Sequence, residues 1–303
     1  MRGRFAPSPT GHLHLGNVRS ALLGWLQARA AGGEFWLRIE DLDVERCKPQ
    51  FIDSIRSDLE FLGLEWQGPM WLQSERRQVY DHAIDQLNHE GLIYPCTCSR
   101  ADIARAASAP HVGEEGPVYP RTCAGGAIVE GRPRALRFRV TGGPTAFNDL
   151  VMGHFGHDVE QAVGDFIVRR ADGIASYQLA VVVDDAAAGV THVLRGADLL
   201  SSTPRQIQLA HALGLPVPTY AHVPLVMENT ERRLAKRDGS LTVRALREAG
   251  VSAERIIGLL AKWSGLSDGQ PVRAAELVSG FSLERLSKVP TVIDLRDLEA
   301  LKR

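Results

Sequence analysis

The sequence predicts an α/β fold with a doubly wound parallel sheet, interrupted by an insertion and followed by a small helical C-terminal region. Strand and helix patterns alternate up to residue 90, which is typical of a parallel sheet. Five prolines and three of the four cysteines then fall between residue 96 and about residue 164, where the alternation stops. The alternation returns near residue 166, so we expect the sheet to be built from both sides of the insertion.

The first unit of this sheet is a strand, a glycine-containing turn and a helix. Residues 4–6 form a short strand pattern that stops at two prolines, and residues 18–30 carry apolar side chains at a helical spacing. This order places the N-terminus of the helix beside the strand ends, where backbone N–H groups can bind anions. A second strand is predicted over Glu34–Ile39, with helices at about 50–62 and 74–90.

The rest of the chain divides by the same patterns. After the insertion we predict strands over residues 166–170, 177–183 and 191–194 and a helix over 203–213. From residue 241 the apolar spacing predicts an all-helical tail. The predicted parts are the two halves of the sheet domain (1–95 and 165–225), the insertion (96–164), and a polar loop with the helical tail (226–303).

Composition excludes several classes of protein. The chain has 303 residues, 44% of them hydrophobic, which is enough to bury a core. Because 35 basic residues face 36 acidic ones, no general polyanion-binding surface is expected, and any nucleic acid must be held by local patches. No apolar run reaches the length of a membrane span, and prolines interrupt the N-terminus before a signal segment could form. We expect a cytoplasmic protein without a membrane partner.

The first specific motif follows the first strand. Residues 4–11 read Arg-Phe-Ala-Pro-Ser-Pro-Thr-Gly and continue into His12-Leu13-His14-Leu15-Gly16-Asn17. Imidazoles at a helix start can bind phosphate oxygens, and a glycine lets a nucleotide approach the backbone. The block resembles the N-terminus of class I aminoacyl-tRNA synthetases of the glutamyl group, with residues 14–17 at the HIGH motif. The resemblance implies a Rossmann-like catalytic domain, His12 and His14 in catalysis, and His14, Gly16 and Asn17 at ATP. A simple helix-capping turn is the alternative.

A basic loop late in the chain supplies the second motif. The KMSKS loop of the same family, which contacts ATP, resembles the run Arg233, Leu234, Ala235, Lys236 and Arg237. The ammonium group of Lys236 suits stabilisation of charge on the α-phosphate and the leaving pyrophosphate, which implies a catalytic role. Arg233 replaces the first lysine of the motif and Ala235 replaces the serine. An isolated basic run of this kind is usually a solvated face.

Two arginines and a glutamate fit an amino-acid substrate with two carboxylates. Arg4 and Arg195 carry planar guanidinium groups suited to carboxylates, and Glu40 supplies a counter-charge for an ammonium group. The family resemblance implies a glutamate site formed by Arg4, Phe5, Ala6, Pro7, Ser8, Glu40, Tyr177 and Arg195. Glutamine would leave a buried guanidinium unpaired and so be rejected. Which arginine takes which carboxylate stays open, as do plain structural roles for Tyr177 in a strand and for Arg195 in a surface ion pair.

A cysteine cluster is the third candidate site. Cys96, Cys98 and Cys123 lie within one short stretch, which without a secretion signal favours a metal over disulfides. Tetrahedral zinc needs a fourth ligand, for which His111 and Tyr119 are near, and histidine is the commoner ligand. The resemblance points to Tyr119, because the short glutamyl-type enzymes carry C-x-C followed by Y-x-x-x-C. It implies one structural Zn²⁺ per chain; free buried cysteines are the alternative.

Two departures from the ordinary glutamyl enzymes indicate a short branch of the family. The sequence ends soon after Lys236, so no anticodon-binding domain is expected, and Val181 stands where those enzymes usually place an asparagine. The resemblance then implies activation of L-glutamate with ATP and Mg²⁺ without tRNA, and transfer to the cyclopentene ring of queuosine at the wobble position of tRNA(Asp). No obligate protein partner is implied. The alternatives are a truncated enzyme that charges tRNA(Glu) and a non-catalytic paralogue that binds glutamate or ATP.

Overall fold

The computed structural model describes residues 1–106, 117–227 and 241–302. Its strands are β1 (Arg2–Phe5), β2 (Glu34–Ile39), β3 (Trp71–Leu72), β4 (Ile93–Cys96), β5 (Ala135–Phe138), β6 (Pro144–Asp149), β7 (Gly153–Asp158), β8 (Phe166–Arg169), β9 (His192–Gly196), β10 (Thr219–Val223), β11 (Val226–Met227) and β12 (Thr291–Val292). Its α-helices are α1 (Leu15–Ala30), α2 (Pro49–Phe61), α3 (Arg77–His89), α4 (Arg100–Ala106), α5 (Val159–Ala162), α6 (Tyr177–Ala187), α7 (Thr203–Ala212), α8 (Val243–Glu248), α9 (Ala253–Trp263) and α10 (Leu295–Lys302). Across these ranges every helix is too short or too polar to span a bilayer.

Parallel strands carry the N-terminal motif. β1 pairs with β2, β2 pairs with β3, and β9 pairs with β10, and all three pairs are parallel. The backbone N–H of Thr191, just before β9, donates to the carbonyl of Arg2 at 2.9 Å, so the two parallel sheets adjoin at β1. The predicted mixed α/β fold with parallel strands is confirmed. Strands β3 and β10 were not predicted.

Residues 166–170 do not return to the parallel sheet, and that prediction is wrong. β8 pairs antiparallel with β5, and β5 pairs antiparallel with β4, so this strand closes a separate sheet. A second antiparallel pair, β6 with β7, forms a hairpin in the insertion. The apolar pattern of a short strand indicates burial and says nothing about which strand it pairs with.

Residues 177–183 form a helix, which corrects the predicted strand. α6 begins after Ser176, whose side-chain oxygen accepts a hydrogen bond from the backbone N–H of Leu179 and so caps the helix. The helix continues to Ala187 and buries the whole run from Leu179 to Asp185. An unbroken apolar run fits a buried helix as well as a buried strand, and the capping serine was the signal that distinguishes them.

The C-terminal helices pack on the first helix of the sheet domain. Leu22 and Leu26 of α1 share one buried cluster with Val243 of α8 and Leu260 of α9. Thr242 and Ser252 cap α8 and α9 through their side-chain oxygens. The tail is not all-helical as predicted, because β12 pairs in parallel with β11. A two-residue strand gives too short a pattern to be recognised in a sequence.

Candidate active site

A cavity of about 490 Å³ lies at the carboxyl ends of the parallel strands. Such strand ends are where open α/β sheets bind ligands. Every residue predicted to bind glutamate lines the cavity, as do His12 and the described residues predicted to bind ATP. These residues are Arg4, Phe5, Ala6, Pro7, Ser8, His12, His14, Gly16, Asn17, Glu40, Tyr177 and Arg195. The structure thus brings together residues from the first and second halves of the chain.

His14 caps the N-terminus of α1. Its Nδ1 accepts the backbone N–H groups of Gly16 at 3.1 Å and Asn17 at 3.4 Å. In the neutral ring Nε2 therefore carries the proton. A Cβ atom on Gly16 would lie only 3.0 Å from the His14 ring, so any larger residue here would press on the capping imidazole. The expected role of Gly16 in admitting a nucleotide stays a prediction.

His12 sits at the rim of the cavity, against α2. Its Nδ1 lies 2.7 Å from Ser54 Oγ, and its ring meets Phe51 edge-on with centroids 5.0 Å apart. Burial lowers the pKa of His12, and the nearby Arg244 lowers that pKa further. These surroundings favour the neutral ring, which can contribute a polar N–H or a ring nitrogen.

Behind the lining residues Arg4 and Glu40 lies a buried ion-pair network, called the floor below, that was not predicted from the sequence. Arg38 Nη1 lies 2.5 Å from Asp185 Oδ1, and Arg38 Nη2 lies 3.4 Å from Glu40 Oε1. Arg4 Nε reaches the same Asp185 oxygen at 3.4 Å. Burial tends to raise the pKa of Asp185, but Arg38 and Arg4 outweigh it and leave that pKa lowered. Burial raises the pKa of Glu40 against the pull of Arg38, so this carboxylate still favours a further cation.

Asp184 anchors this floor from below. The fully buried carboxylate of Asp184 accepts hydrogen bonds from Arg76 Nε at 2.6 Å, Gln73 Nε2 at 2.8 Å and Tyr80 Oη at 2.8 Å. Its Oδ2 also lies 3.7 Å from Arg38 Nε. The only sequence signal for this network was two adjacent aspartates at the end of an aliphatic run.

Arg195 forms the opposite wall and is surrounded by neutral acceptors. Its guanidinium N–H groups donate to His222 Nε2 at 3.0 Å, Thr203 Oγ1 at 2.8 Å and Gln206 Oε1 at 2.8 Å. Longer contacts of 3.4 Å reach Tyr177 Oη and the Leu199 carbonyl. Within the described ranges no carboxylate pairs with this side chain, although only 5% of Arg195 is exposed. The alternative that Arg195 is a surface ion-pair partner is therefore wrong.

The chain that leads to the basic loop is held by a buried arginine. Arg19 of α1 donates from Nη1 to the carbonyl of Pro224 at 2.6 Å and from Nε to Ser264 Oγ at 2.9 Å. Burial lowers the pKa of Arg19 to about 10. The loop itself, with Arg233, Leu234, Ala235, Lys236 and Arg237, lies outside the described residues, and its expected contacts with ATP stay a prediction.

The three cysteines of the insertion converge as expected. The Sγ atoms of Cys96, Cys98 and Cys123 all lie within 4.8 Å of one another, close enough to hold one metal ion. Tyr119 is buried beside them, with its Oη 3.3 Å from Cys96 Sγ. His111, the alternative fourth ligand, lies outside the described residues. Neither the three cysteines nor Tyr119 lines the cavity, so the cluster has a role separate from that of the cavity.

Comparison with known proteins identifies the family. The family model of the catalytic domain of class I tRNA synthetases (E and Q) matches residues 1–300. A protein of Symbiobacterium thermophilum named glutamyl-Q tRNA(Asp) synthetase is 49% identical over 99% of this chain and 98% of its own. The glutamate–tRNA ligase of Oleidesulfovibrio alaskensis is 42% identical over 98% of this chain and 64% of its own.

A solved structure agrees with these sequence matches. The crystal structure of a glutamate tRNA ligase from Elizabethkingia meningosepticum in complex with its amino acid has a TM-score of 0.82 at 26% identity. The match covers 99% of this chain and 68% of that one. The chain belongs to the class I tRNA synthetases of the E and Q type, and the family and enzyme class predicted from the sequence are confirmed.

Proposed function

We propose that the protein activates L-glutamate with ATP and transfers the glutamyl group to queuosine in tRNA(Asp). The observation that carries the proposal is a single cavity with buried guanidinium groups at one end and a helix N-terminus at the other. At one end lie the buried guanidinium groups of Arg4 and Arg195, and at the other lies the N-terminus of α1 with His14 and Asn17. A substrate that bridges them has carboxylates at one side and phosphates at the other.

Glutamate fits the charges of the first end. Among the described residues only neutral atoms contact the Arg195 guanidinium, so a substrate carboxylate would complete the site. The Glu40 carboxylate, with its raised pKa, would regain favourable surroundings beside the substrate ammonium. Glutamine, with an amide in place of the γ-carboxylate, would leave a guanidinium unpaired and bind more weakly.

The second end would hold ATP with its Mg²⁺. A helix N-terminus attracts phosphate oxygens, and the proton on Nε2 of His14 adds a donor there. His12 at the rim and Lys236 on the basic loop would stabilise the charge that develops as a glutamate carboxylate oxygen attacks the α-phosphorus. Mg²⁺ screens the β- and γ-phosphates when it is bound with ATP. These roles are positioning and electrostatics, without a covalent enzyme intermediate.

The acceptor is inferred from the relatives. Proteins that match this chain over nearly their whole length carry the name glutamyl-Q tRNA(Asp) synthetase, whereas the glutamate–tRNA ligase of Oleidesulfovibrio alaskensis is covered over 64% of its length. An unstacked base is the part of an RNA that proteins most readily bind in a pocket. A modified wobble nucleoside therefore fits the role of acceptor for the activated glutamyl group.

We also propose that the cysteine cluster holds structural zinc. Thiolates bound to one zinc ion at about 2.3 Å lie about 3.8 Å apart in a tetrahedral site, and the Sγ atoms here are within 4.8 Å of one another. Tyr119 offers the fourth ligand, and Arg137 Nε, 3.2 Å from Cys96 Sγ, balances the surplus negative charge. The metal would fold an insertion with a small apolar core. Metal analysis should give one zinc per chain in the wild type and a loss of zinc in Cys123→Ser.

The finer architecture follows from the same family. We infer that the two parallel sheets act as one Rossmann-like sheet in the order β3-β2-β1-β9-β10, with β1 at the centre. The division into two sheet halves, an insertion and a tail fits this order. Because its proposed substrate is a tRNA, we place the protein in the cytoplasm.

The decisive experiment offers radioactive glutamate and ATP to three purified tRNAs. We expect label on tRNA(Asp) that contains queuosine and none on the same tRNA without queuosine or on tRNA(Glu). Label on tRNA(Glu) instead would identify an enzyme of the ordinary aminoacylating kind. Absence of both labelling and glutamate-dependent pyrophosphate exchange would identify a non-catalytic binder.

A further inference from the structure

A buried pair stands behind Arg195, on the side away from the cavity. His222 lies on β10 and Asp149 at the end of β6, and both side chains are 0% exposed. His222 Nδ1 and Asp149 Oδ2 are 2.6 Å apart, and His222 Nε2 accepts a hydrogen bond from Arg195 Nε at 3.0 Å. A continuous chain of hydrogen bonds therefore runs from the insertion to the cavity wall.

The partners of His222 determine where its proton sits. The carboxylate of Asp149 only accepts hydrogen bonds and the guanidinium of Arg195 only donates them, so Nδ1 must carry the proton and Nε2 must be bare. Burial lowers the pKa of His222 although Asp149 opposes this effect, and the ring is neutral at pH 7. The Thr203 hydroxyl, 3.2 Å from Nε2, is compatible with the same arrangement.

The carboxylate of Asp149 is itself fixed by the backbone. Its Oδ1 accepts the backbone N–H groups of Val151 at 2.9 Å and Met152 at 2.8 Å, in the turn between β6 and β7. The backbone N–H of His222 also donates to this carboxylate, at 3.0 Å. Asp149 therefore cannot rotate without breaking several buried hydrogen bonds, and it holds the imidazole ring in one orientation.

We propose that Asp149 and His222 are positioning residues that hold Arg195 ready for a substrate carboxylate without neutralising it. A carboxylate in direct contact would fix the guanidinium equally well but would compete with the substrate for its charge. The imidazole ring places that negative charge one residue further away and offers a neutral acceptor in its place. This inference rests on the proposed function, because it assigns the Arg195 charge to glutamate.

Two substitutions of His222 separate the acceptor from the rest of the ring. In H222Q the side-chain oxygen reaches the position of Nε2 and can still accept from Arg195. In H222N the amide reaches only the position of Nδ1, so the contact with Asp149 is kept and the one with Arg195 is lost. A hydrogen bond to a charged group corresponds to about a 10- to 100-fold effect on binding. We expect the KM for glutamate in pyrophosphate exchange to rise by that factor in H222N and far less in H222Q.

The KM for ATP distinguishes positioning from general damage. In H222N the melting temperature should fall, because the buried Arg195 Nε loses its acceptor, but the KM for ATP should stay near the wild-type value while the KM for glutamate rises. H211Q, on the exposed end of α7, serves as a control with unchanged kinetics. D149N supplies an isosteric second variant if a His222 variant fails to fold. Its amide nitrogen would donate to Nδ1, move the proton to Nε2 and set two donors face to face, so the KM for glutamate should rise again.

The outcomes distinguish this inference from the proposed function. Exchange in the wild type, with the same glutamate KM in H222N and H222Q or an unchanged glutamate KM in D149N, would overturn the positioning role alone. A wild-type protein without glutamate-dependent exchange would overturn the proposed function and the positioning role with it.

Discussion

Buried positive charge is paired with carboxylates in the floor network, whereas on the cavity wall it is hydrogen-bonded to neutral acceptors. On the floor, Arg38 touches the carboxylates of Glu40 and Asp185, so its charge is balanced within the protein. On the wall, Arg195 is as deeply buried but meets neutral acceptors, with the carboxylate of Asp149 one imidazole ring away. Balanced charges fix the shape of the cavity, whereas the charge on the wall remains for a ligand.

This difference has an energetic basis. A buried ion pair gains little net free energy of folding, but removal of one partner leaves a costly uncompensated charge. A buried cation without a contacting anion already bears part of that cost in the empty enzyme, and a bound carboxylate recovers it. Substitutions on the floor should therefore damage the fold, and substitutions on the wall should damage substrate binding.

The largest effect is expected from Asp184→Asn on the floor. The change removes the negative charge that Arg76 and Arg38 share while keeping the side-chain volume. Breaking a buried ionic contact of this kind costs about 3–5 kcal/mol of unfolding free energy, measured by urea denaturation. The control is Asp53→Asn, whose exposed pair with Arg56 contributes less than about 1 kcal/mol. Equal losses in the two variants would contradict a structural role for the floor.

Arg195→Met on the wall should show the opposite division of effects. Methionine keeps much of the apolar length and removes the charge, so the binding free energy of glutamate should fall by about 2–5 kcal/mol, or more than about 30-fold in KM. The melting temperature should change little, since the desolvated cation and its cost are removed together. Arg273→Met, at an exposed arginine, is the matched control. A loss of stability as large as that of Asp184→Asn would erase the distinction between floor and wall.

The sequence predicted the local motifs of the site and missed its supporting contacts. Residues 4–17 are contiguous, so one strand-turn-helix pattern already places Arg4, His14 and Gly16 at one cavity edge. The partners Arg38 and Asp185 are 147 residues apart, and His222 and Asp149 are 73 apart. No local pattern links such residues, because tertiary folding alone brings them together. The helical position of Tyr177 was missed for a different reason, since its apolar run fits either a strand or a helix.

Asp58 presents the converse case of a buried carboxylate with a poor cationic partner. Burial raises the pKa of Asp58 to about 6, and the nearest cation, Arg247 Nη1, is 3.8 Å from its Oδ1. Above pH 6 the folded protein bears the full cost of ionising this group, and below about pH 4 both folded and unfolded states are protonated. Asp58→Asn should therefore stabilise the protein by about 2–3 kcal/mol at pH 7.5, and the gain should shrink steadily towards pH 4.5.

Urea denaturation at several pH values tests whether the stability gain of Asp58→Asn shrinks as the pH falls. Glu60→Gln, on an exposed position of the same helix, removes a similar charge without burial and should give no such pH-dependent gain. A gain from Asp58→Asn that grows as the pH falls would contradict the assignment of a raised pKa.

The smallest effect is expected at the N-terminus of α1, where backbone N–H groups, and not charged side chains, would bind the phosphate anion. In Gly16→Ala the new Cβ would lie 3.0 Å from the His14 ring, so the ring would have to shift slightly and its hydrogen bonds with the backbone N–H groups of Gly16 and Asn17 would weaken. A weakened N-cap costs at most about 1 kcal/mol, and alanine in place of a helical glycine returns about 0.5–1 kcal/mol, so the melting temperature should change by less than about 2 °C. Gly11→Ala, in the same loop, meets no atom within 4 Å and should leave the melting temperature unchanged. Because the displaced imidazole also carries the Nε2 proton, the KM for ATP should rise in Gly16→Ala while the KM for glutamate stays close to the wild-type value. A parallel rise in both constants would mean that the two ends of the cavity do not bind their ligands independently.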